Sequence, residues 1–251
     1  MIKDIRIKEI QEYVMKNESV SLDELMTVFD VSKNTIRRDV QELVDRGELK
    51  KVYGGVSVIR KKLESFQDRK VRNQGVKEKI AKEAASFIEE GDFIFIDSGT
   101  TTIEMFDYLK DKHLTIFTNN IDMISLAVPF KNLNVITFGG MLDRKTKSFV
   151  YQRNMDVLKD YNIKKAFMAS TGISLTNGVT NASPMESELK KTVVSRSSEV
   201  YLLVDHDKFD KYGLITYCGL DEVDYLVTDS VPNNIYIEYA KNNNIQLVVP
   251  K

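Results

Sequence analysis

Cysteine is almost missing from this 251-residue chain, with Cys218 the single example. That excludes an intrachain disulfide and a clustered thiolate metal site, and it fits a reducing cytoplasm. Histidine is nearly as scarce: His113 and His206 are too few and too isolated to hold a metal, so they read as surface residues, and no metal or other cofactor is expected. No run approaches the ~18 apolar residues of a membrane span. The opening six residues, Met-Ile-Lys-Asp-Ile-Arg, are a charged amphipathic helix start without the apolar core of a signal peptide. The expectation is a cytoplasmic protein that keeps clear of membranes. A large excess of either charge is lacking too, because the formal net charge is −1. Through Lys62 thirteen Lys and Arg face eleven Asp and Glu, net +2, leaving twenty-three against twenty-six, net −3. A chain so close to neutral can meet a polyanion only by concentrating its positive charge locally.

Residues 21–62 do that. Ser21-Leu22-Asp23-Glu24 has the form of a capping box, which predicts a helix start, and Leu22, Leu25, Met26 and Phe29 follow at helical spacing. Asp30-Val31 makes a turn, and Ser32 caps a second helix. There Ile36, Val40, Leu43 and Val44 share an inward face, while Asn34, Arg38 and Gln41 fall opposite, flanked by Lys33, Thr35 and Arg37. Arg, Asn and Gln are the residue types that bond base edges in a bidentate way, and Ser32, Thr35 and a helix N-terminus suit phosphates. Residues 48–53 and 56–59 are β-rich runs around Gly54-Gly55, which predicts a wing whose Lys50, Lys51 and Tyr53 reach the DNA backbone. Two short helices with a basic face also describe a solvated αα-hairpin; the wing and the Thr-Ile-Arg-Arg-Asp run at 35–39 favour a DNA-reading head.

Length allows a second, α/β domain. Residues 60–76 are charged and poor in periodicity and read as a linker in which Phe66 docks on a neighbouring domain, giving domains at 1–59 and 77–251. From Lys77 onward apolar runs alternate with amphipathic helices. Helices are predicted from 77 to Gly91, over 102–110, 121–128, 184–197 and 232–243. Strands are predicted at 93–96, 114–117, 134–138, 165–169, 200–204, 225–228 and 245–249, so a mostly parallel sheet covered on both faces is expected. Such sheets bind ligands beyond the C-terminal strand ends. Polar groups recur there: Asp97, Ser98, Gly99, Thr100, Thr101 and Thr102; Thr118, Asn119 and Asn120; Gly139 and Gly140; Ser170 and Thr171; Asp205 and Lys208. A glycine among hydroxyls at a helix start is suited to a phosphate, although Thr101 to Glu104 also fits a plain capping box. Asp205 can bond a hydroxyl and Lys208 can neutralise a phosphate. Glu186 and Lys190 have a structural explanation, as the reciprocal glutamate of a cap at Ser183 and an i,i+4 pair.

The ordered series from Val31-Ser32 and Thr35-Ile36-Arg37-Arg38-Asp39 through Gly54-Gly55, Lys77, Asp97-Ser98-Gly99-Thr100-Thr101, Thr118-Asn119, Gly139-Gly140, Gly178-Val179-Thr180 and Asp205-His206-Asp207-Lys208-Phe209 resembles DeoR-type bacterial transcription regulators over nearly the whole chain. The resemblance implies a winged helix-turn-helix followed by a sugar-phosphate-sensing domain of the ribose-5-phosphate isomerase fold, and it gives Glu186 and Lys190 a place in the pocket lining. It also raises a rival, a sugar-phosphate isomerase-like enzyme. Such enzymes carry an aspartate-rich catalytic loop, and the corresponding 169–173, Ala-Ser-Thr-Gly-Ile, has no carboxylate for proton transfer. No catalytic residue is therefore assigned. Within the family the chain looks closest to repressors of inositol catabolism, with a regulator of a different sugar pathway as the alternative. The partners implied are double-stranded operator DNA, a phosphorylated sugar or inositol-derived effector, and further copies of the chain in a homodimer or homotetramer, because half-sites must be paired. One departure is Tyr151, where relatives commonly place glycine; a ring there would narrow the pocket.

Overall fold

The computed structural model describes residues 3–17, 19–45, 48–58, 66–137, 139–150, 158 and 160–250, with only the backbone of Asp4 and Val58. Tyr151 lies outside them. The chain divides into two units, Met1–Lys62 and Leu63–Lys251, described in turn.

In the first unit, helical spacing of apolar residues produces α1 (Lys3–Asn17), α2 (Leu22–Phe29) and α3 (Lys33–Asp45), with strands β1 (Ser19–Ser21), β2 (Leu49–Val52) and β3 (Gly55–Val58). Ile7, Ile10 and Val14 on α1 meet Leu25 on α2 and Ile36, Val40 and Leu43 on α3; Leu49 and Val56 close the core from the sheet. Each such side chain contributes about 1.5–3 kcal/mol when fully buried. Val44, expected inside, is only half-buried. The Ser21 Oγ accepts from the Glu24 amide at 3.0 Å, as the cap requires. The reciprocal half is different: the Glu24 carboxylate accepts from the Tyr13 hydroxyl at 3.0 Å. Asp30 ends α2 in the left-handed region at φ 49, a conformation Asp tolerates, and the tight turn into α3 follows.

The sheet runs in the order β1-β3-β2, antiparallel throughout, so the wing has a third strand that period-counting missed. Gly55 explains part of the wing's sequence. A Cβ there would fall 2.2 Å from the Val20 carbonyl oxygen, so only glycine lets β3 lie against β1. Asp39, within the basic run, points inward. It is 2% exposed and accepts from Arg6 Nε at 2.7 Å, pinning α3 to α1 across thirty-three residues.

The second unit opens with α4 (Phe66–Val71) and α5 (Gln74–Ala85). The stretch 66–76, expected to be linker, is therefore mostly helical: Phe66 is 2% exposed, and the Arg69 guanidinium and the Lys147 ammonium lie 5.6 and 5.2 Å from its ring centre. Then follow β4 (Phe93–Ile96), α6 (Phe106–Leu109), β5 (Leu114–Thr118), α7 (Ile121–Ala127), β6 (Leu133–Ile136), the hairpin β7 (Met141–Asp143) and β8 (Ser148–Val150), and β9 (Ile163–Ala169). After these come β10 (Gly172–Ser174), β11 (Gly178–Asn181), α8 (Pro184–Ser195), β12 (Ser197–Leu203), β13 (Ile215–Cys218), β14 (Tyr225–Val227), α9 (Asn234–Asn242) and β15 (Gln246–Val248). The hairpin and the small antiparallel sheet β10-β11-β13 had no counterpart in the sequence reading.

Seven strands make one sheet in the order β15-β14-β12-β9-β4-β5-β6, every adjacent pair parallel. Alternation places Ile94 and Ile96 in the core on one face, with Phe167, Tyr201 and Leu203, and Phe95 in the core on the other, with Ala166, Met168 and Leu202. Burial on both faces is why these strands read as continuous apolar runs. Tyr201 stacks at 4.8 Å on Phe167 and at 4.2 Å on Tyr225, its register partners on either side. From β4 the chain builds outward through β5 and β6, then returns to β9 on the opposite side of β4 and continues to β15. The order thus reverses between β4 and β9, the kind of switch point at whose C-terminal strand ends open α/β sheets place a ligand crevice.

Candidate functional site

The head presents its cationic side chains to solvent. Ser32, Lys33, Asn34, Arg37, Arg38, Lys50, Lys51 and Tyr53 are exposed, with Thr35 and Gln41 half-buried. A groove of about 780 Å³ runs between α3 and the wing, lined among others by Arg37, Arg38, Gln41, Lys51 and Gly54. Ser32 caps α3, accepting from the Thr35 amide at 3.3 Å. Gln41 is already engaged: Nε2 donates to Asp45 Oδ1 at 2.5 Å and Oε1 accepts from Lys51. Lys33 pairs with Asp23 at 2.9 Å. Both pairs are exposed, so they are weak and exchangeable for a DNA contact.

In the second unit the strand ends line up as β12, β9, β4, β5 and β6, which places Asp205, Ser170 and Thr171, 97–102, and 118–120 side by side at the crevice. Gly139 and Gly140 follow the edge strand, two strands away from β4, roughly 10 Å at sheet spacing. They have φ of 63 and 117, and so make a turn that favours glycine.

Asp97 is wholly buried at the switch. Its Oδ2 accepts from the Ala169 amide at 2.9 Å and pairs with Lys190 Nζ at 2.7 Å, while Oδ1 accepts from the Ser98 amide at 2.8 Å. Lys190 also donates to the Ala169 carbonyl at 2.8 Å and lies 5.3 Å from the centre of the Tyr217 ring, whose hydroxyl donates to the same carbonyl at 3.0 Å. Glu186 is equally enclosed: it accepts from Ser98 Oγ at 3.1 Å, Ser148 Oγ at 2.6 Å and Asn181 Nδ2 at 3.0 Å. Burial raises its carboxyl, but Lys190 and hydrogen bonds from Ser148, Asn181 and Thr146 outweigh that and hold it below the usual value. The reciprocal cap expected of Glu186 is absent, because its carboxylate turns into this network. Both residues therefore form the floor of the crevice, tying β4, β8, β9, β11 and α8 together, with their polar atoms spent on protein.

The 97–102 loop differs from the capped helix expected. A short 3₁₀ turn (Thr102–Met105) precedes α6, and Thr101 makes no side-chain cap. Thr102 Oγ1 instead donates its one proton to the Asp97 carbonyl at 2.6 Å, with the Gly99 carbonyl at 3.0 Å as the alternative acceptor, and accepts from the Gly99 amide at 3.0 Å. Gly99 is there for closeness: a Cβ would fall 2.3 Å from Ala169 Cβ. Thr100 and Thr101, 8% and 7% exposed, have no described hydrogen bond from their hydroxyls. Thr118 and Asn120 have structural duties, donating to the Ile96 carbonyl and capping α7 respectively. Asn119 Oδ1 and Ser170 Oγ are buried without a hydrogen-bond partner at these strand ends.

Asp205 Oδ1 accepts from the Asp207 amide at 3.1 Å and so starts the turn His206–Lys208. Burial pushes the Lys208 ammonium down to about 8; Asp205 opposes that, and Arg69, Arg72 and Lys77 add to it. Arg69, Arg72 and Asn73 escaped the sequence reading because they lay in the supposed linker. Among the described residues, no helix is long and apolar enough to cross a membrane, and no three His, Cys, Asp or Glu are placed to hold a metal.

Family models match both units: the DeoR-like helix-turn-helix domain over residues 6–62 and the DeoR C terminal sensor domain over 72–230. The HTH-type transcriptional regulator IolR of Bacillus subtilis is 46% identical across 97% of this chain and 98% of its own length. The lactose phosphotransferase system repressor of Staphylococcus epidermidis is 32% identical across 92% and 93%. Among solved structures, ribose 5-phosphate isomerase A from Methanocaldococcus jannaschii is 18% identical over 55% of each chain with a TM-score of 0.40, a partial likeness that adds nothing to the sheet order above.

The floor assignment has a measurable consequence. Lys190→Met leaves the Asp97 carboxylate buried without its counter-charge, so urea unfolding of the full chain should show a loss on the order of 3 kcal/mol. An unchanged midpoint would mean that Lys190 is not holding Asp97.

Proposed function

Because this chain belongs to the DeoR family of helix-turn-helix transcriptional regulators, we propose that it is a cytoplasmic repressor of a carbohydrate operon, that of inositol catabolism first, whose operator binding is set by a phosphorylated sugar-like effector. The family consists of regulators rather than enzymes, which removes the isomerase alternative. The observation that carries the effector reading is the crevice at the β4/β9 reversal. Its floor is internally satisfied, the Thr100 and Thr101 hydroxyls of the loop after β4 have no described hydrogen bond, and the Lys208 ammonium after β12 makes one long bond of 3.4 Å to the Thr171 carbonyl. Hydroxyl and ammonium donors around a concave site match the oxygens of a phosphate monoester and its sugar. In this reading 97–102, Asn119, Thr171, Asp205 and Lys208 line the site. Glu186 and Lys190 support it, and Gly139 and Gly140 shape its far margin. The inositol assignment rests on the similarity to repressors of that pathway; a different sugar pathway fits the same crevice.

On the head, Asn34, Arg38 and Gln41 read bases, while Ser32, Lys33, Thr35, Arg37, Lys50, Lys51 and Tyr53 hold phosphates. One such head covers too little DNA for operator specificity, so the protein works as a homodimer or homotetramer on paired half-sites. Arg38→Ala should cost roughly 1–3 kcal/mol on operator and little on random duplex, whereas Lys50→Ala should weaken both alike. Titrations at fixed salt that gave identical losses for both variants on both duplexes would reject these roles.

For the effector, a panel of phosphorylated sugars and inositols is screened with the full chain by melting temperature and by operator release. A phosphorylated member should raise the melting temperature where its unphosphorylated counterpart does not, because a ligand stabilises the state it binds, and Thr100→Val should remove most of that rise. A response that ignores the phosphate would sink the reading.

A further inference from the structure

In the reading head, α1 has a face that the core does not use. Ile7, Ile10 and Val14 join the core, Ile10 wholly buried. At about 100° per residue, Ile5, Lys8, Glu12 and Met15 fall within roughly 40° of the direction opposite Ile10. All four are exposed, Ile5 at 50% and Met15 at 37%. The groove between α3 and the wing takes no residue from α1, so this face lies clear of the surface assigned to DNA. Beside it is a shallow cleft of about 450 Å³, lined in part by Glu12 and Tyr13 of α1 and by Val28 of α2, itself 47% exposed.

Scattered exposed apolar side chains are ordinary. What sets this face apart is its order: apolar, cation, anion, apolar, at spacings of three, four and three residues. Read backwards, the spacing is the same and the two charges exchange places. Two copies of α1 laid antiparallel, with a twofold axis passing beside residue 10, therefore bring Ile5 of each to the partner's Met15 and Lys8 of each to the partner's Glu12. A parallel pair would set lysine against lysine. An isologous contact of this kind is what a twofold homo-oligomer requires, because each copy supplies the same patch. Within one helix Lys8 and Glu12 would form an i,i+4 pair in the poorer order, lysine before glutamate, and no ion pair or side-chain hydrogen bond is described for either. Both charges are available to a second molecule.

We propose that this face of α1 is where two heads of the homo-oligomer meet, as an antiparallel helix pair in which Ile5 packs on the partner's Met15 and Lys8 pairs with the partner's Glu12. The inference rests on the reading that the protein works as a homo-oligomer on paired half-sites, and it names the surface that joins the heads. The contact is small. Exposed ion pairs contribute little each, so the pairing orients two heads and does not hold the oligomer together by itself. Arg6, next to Ile5 on α1, passes that orientation to α3 through its bond to Asp39.

The test is cross-linking of the full chain. Ile5→Cys and Met15→Cys are introduced together, and the protein is treated with a bis-maleimide too short to span the roughly 15 Å between those positions on one helix. The double variant should give covalent dimer in about ten-fold excess over either single variant, whose identical positions also lie roughly 15 Å apart in the antiparallel pair. Wild type, in which the one cysteine, Cys218, is buried, should give none. Adding Lys8→Glu to the double variant should cut the yield about ten-fold, and adding Glu12→Lys as well should restore it, because the reversed charges again meet their opposites. Sedimentation of wild type is run alongside. An associated wild type with equal cross-linking of single and double variants, or a yield that ignores Lys8→Glu, would overturn α1 as the surface and leave the homo-oligomer reading in place. A monomeric wild type would overturn both.

Discussion

The buried pair of Asp97 and Lys190 sits where two strands distant in sequence leave the sheet side by side. Lys190 reaches up from α8 to the carboxylate at the end of β4 and the Ala169 carbonyl at the end of β9. Two charges taken out of water are costly, and the cost is offset only when every remaining donor and acceptor is met. Here the Ala169 and Ser98 amides complete Asp97, and the Tyr217 ring faces Lys190. Glu186 extends the network to Ser148 and Asn181, on strands outside the main sheet. The crevice at the strand ends therefore has a floor that cannot shift without exposing charge, and under the proposed function ligand-dependent change falls on the threonine loop and the turn with Lys208.

A second pin of the same kind holds the reading head. Arg6 and Asp39 are the point where α1 fixes the orientation of α3, leaving Arg37 and Arg38 on either side of the buried carboxylate and free to face outward. The basic run of the recognition helix is thus two outward cations and one inward anion. Replacing Asp39 would act on DNA binding through the tilt of α3 and not through a lost contact.

Much of this was legible in residue order. Apolar runs such as 93–96 and 200–204 mark strands buried on both faces, and Ser21, Asn120 and Ser183 are the caps or strand-end groups their types imply. The strand-end residues were legible as a set because a parallel sheet delivers them to one edge. Their division of labour was not. Whether Glu186 turns to its own helix start or to Ser148 depends on a hairpin that no local pattern announces. Whether Gly99 cradles a ligand or merely lets β4 approach Ala169 depends on which strand is its neighbour. The segment 66–76 looked like linker because its charges conceal its one apolar anchor, Phe66, and because Lys77 serves α4 by tertiary bonds that periodicity does not record.

The proposed regulation requires that ligand binding in the second unit and operator binding by the head be coupled, and such coupling is reciprocal by thermodynamic necessity. The decisive measurement is a four-cornered binding cycle on the full chain: operator affinity with and without a saturating phosphorylated sugar that binds, and sugar affinity with and without saturating operator. The two ratios should agree and lie between about 5- and 150-fold. A sugar phosphate that binds the crevice tightly while both ratios stay at one would contradict the account.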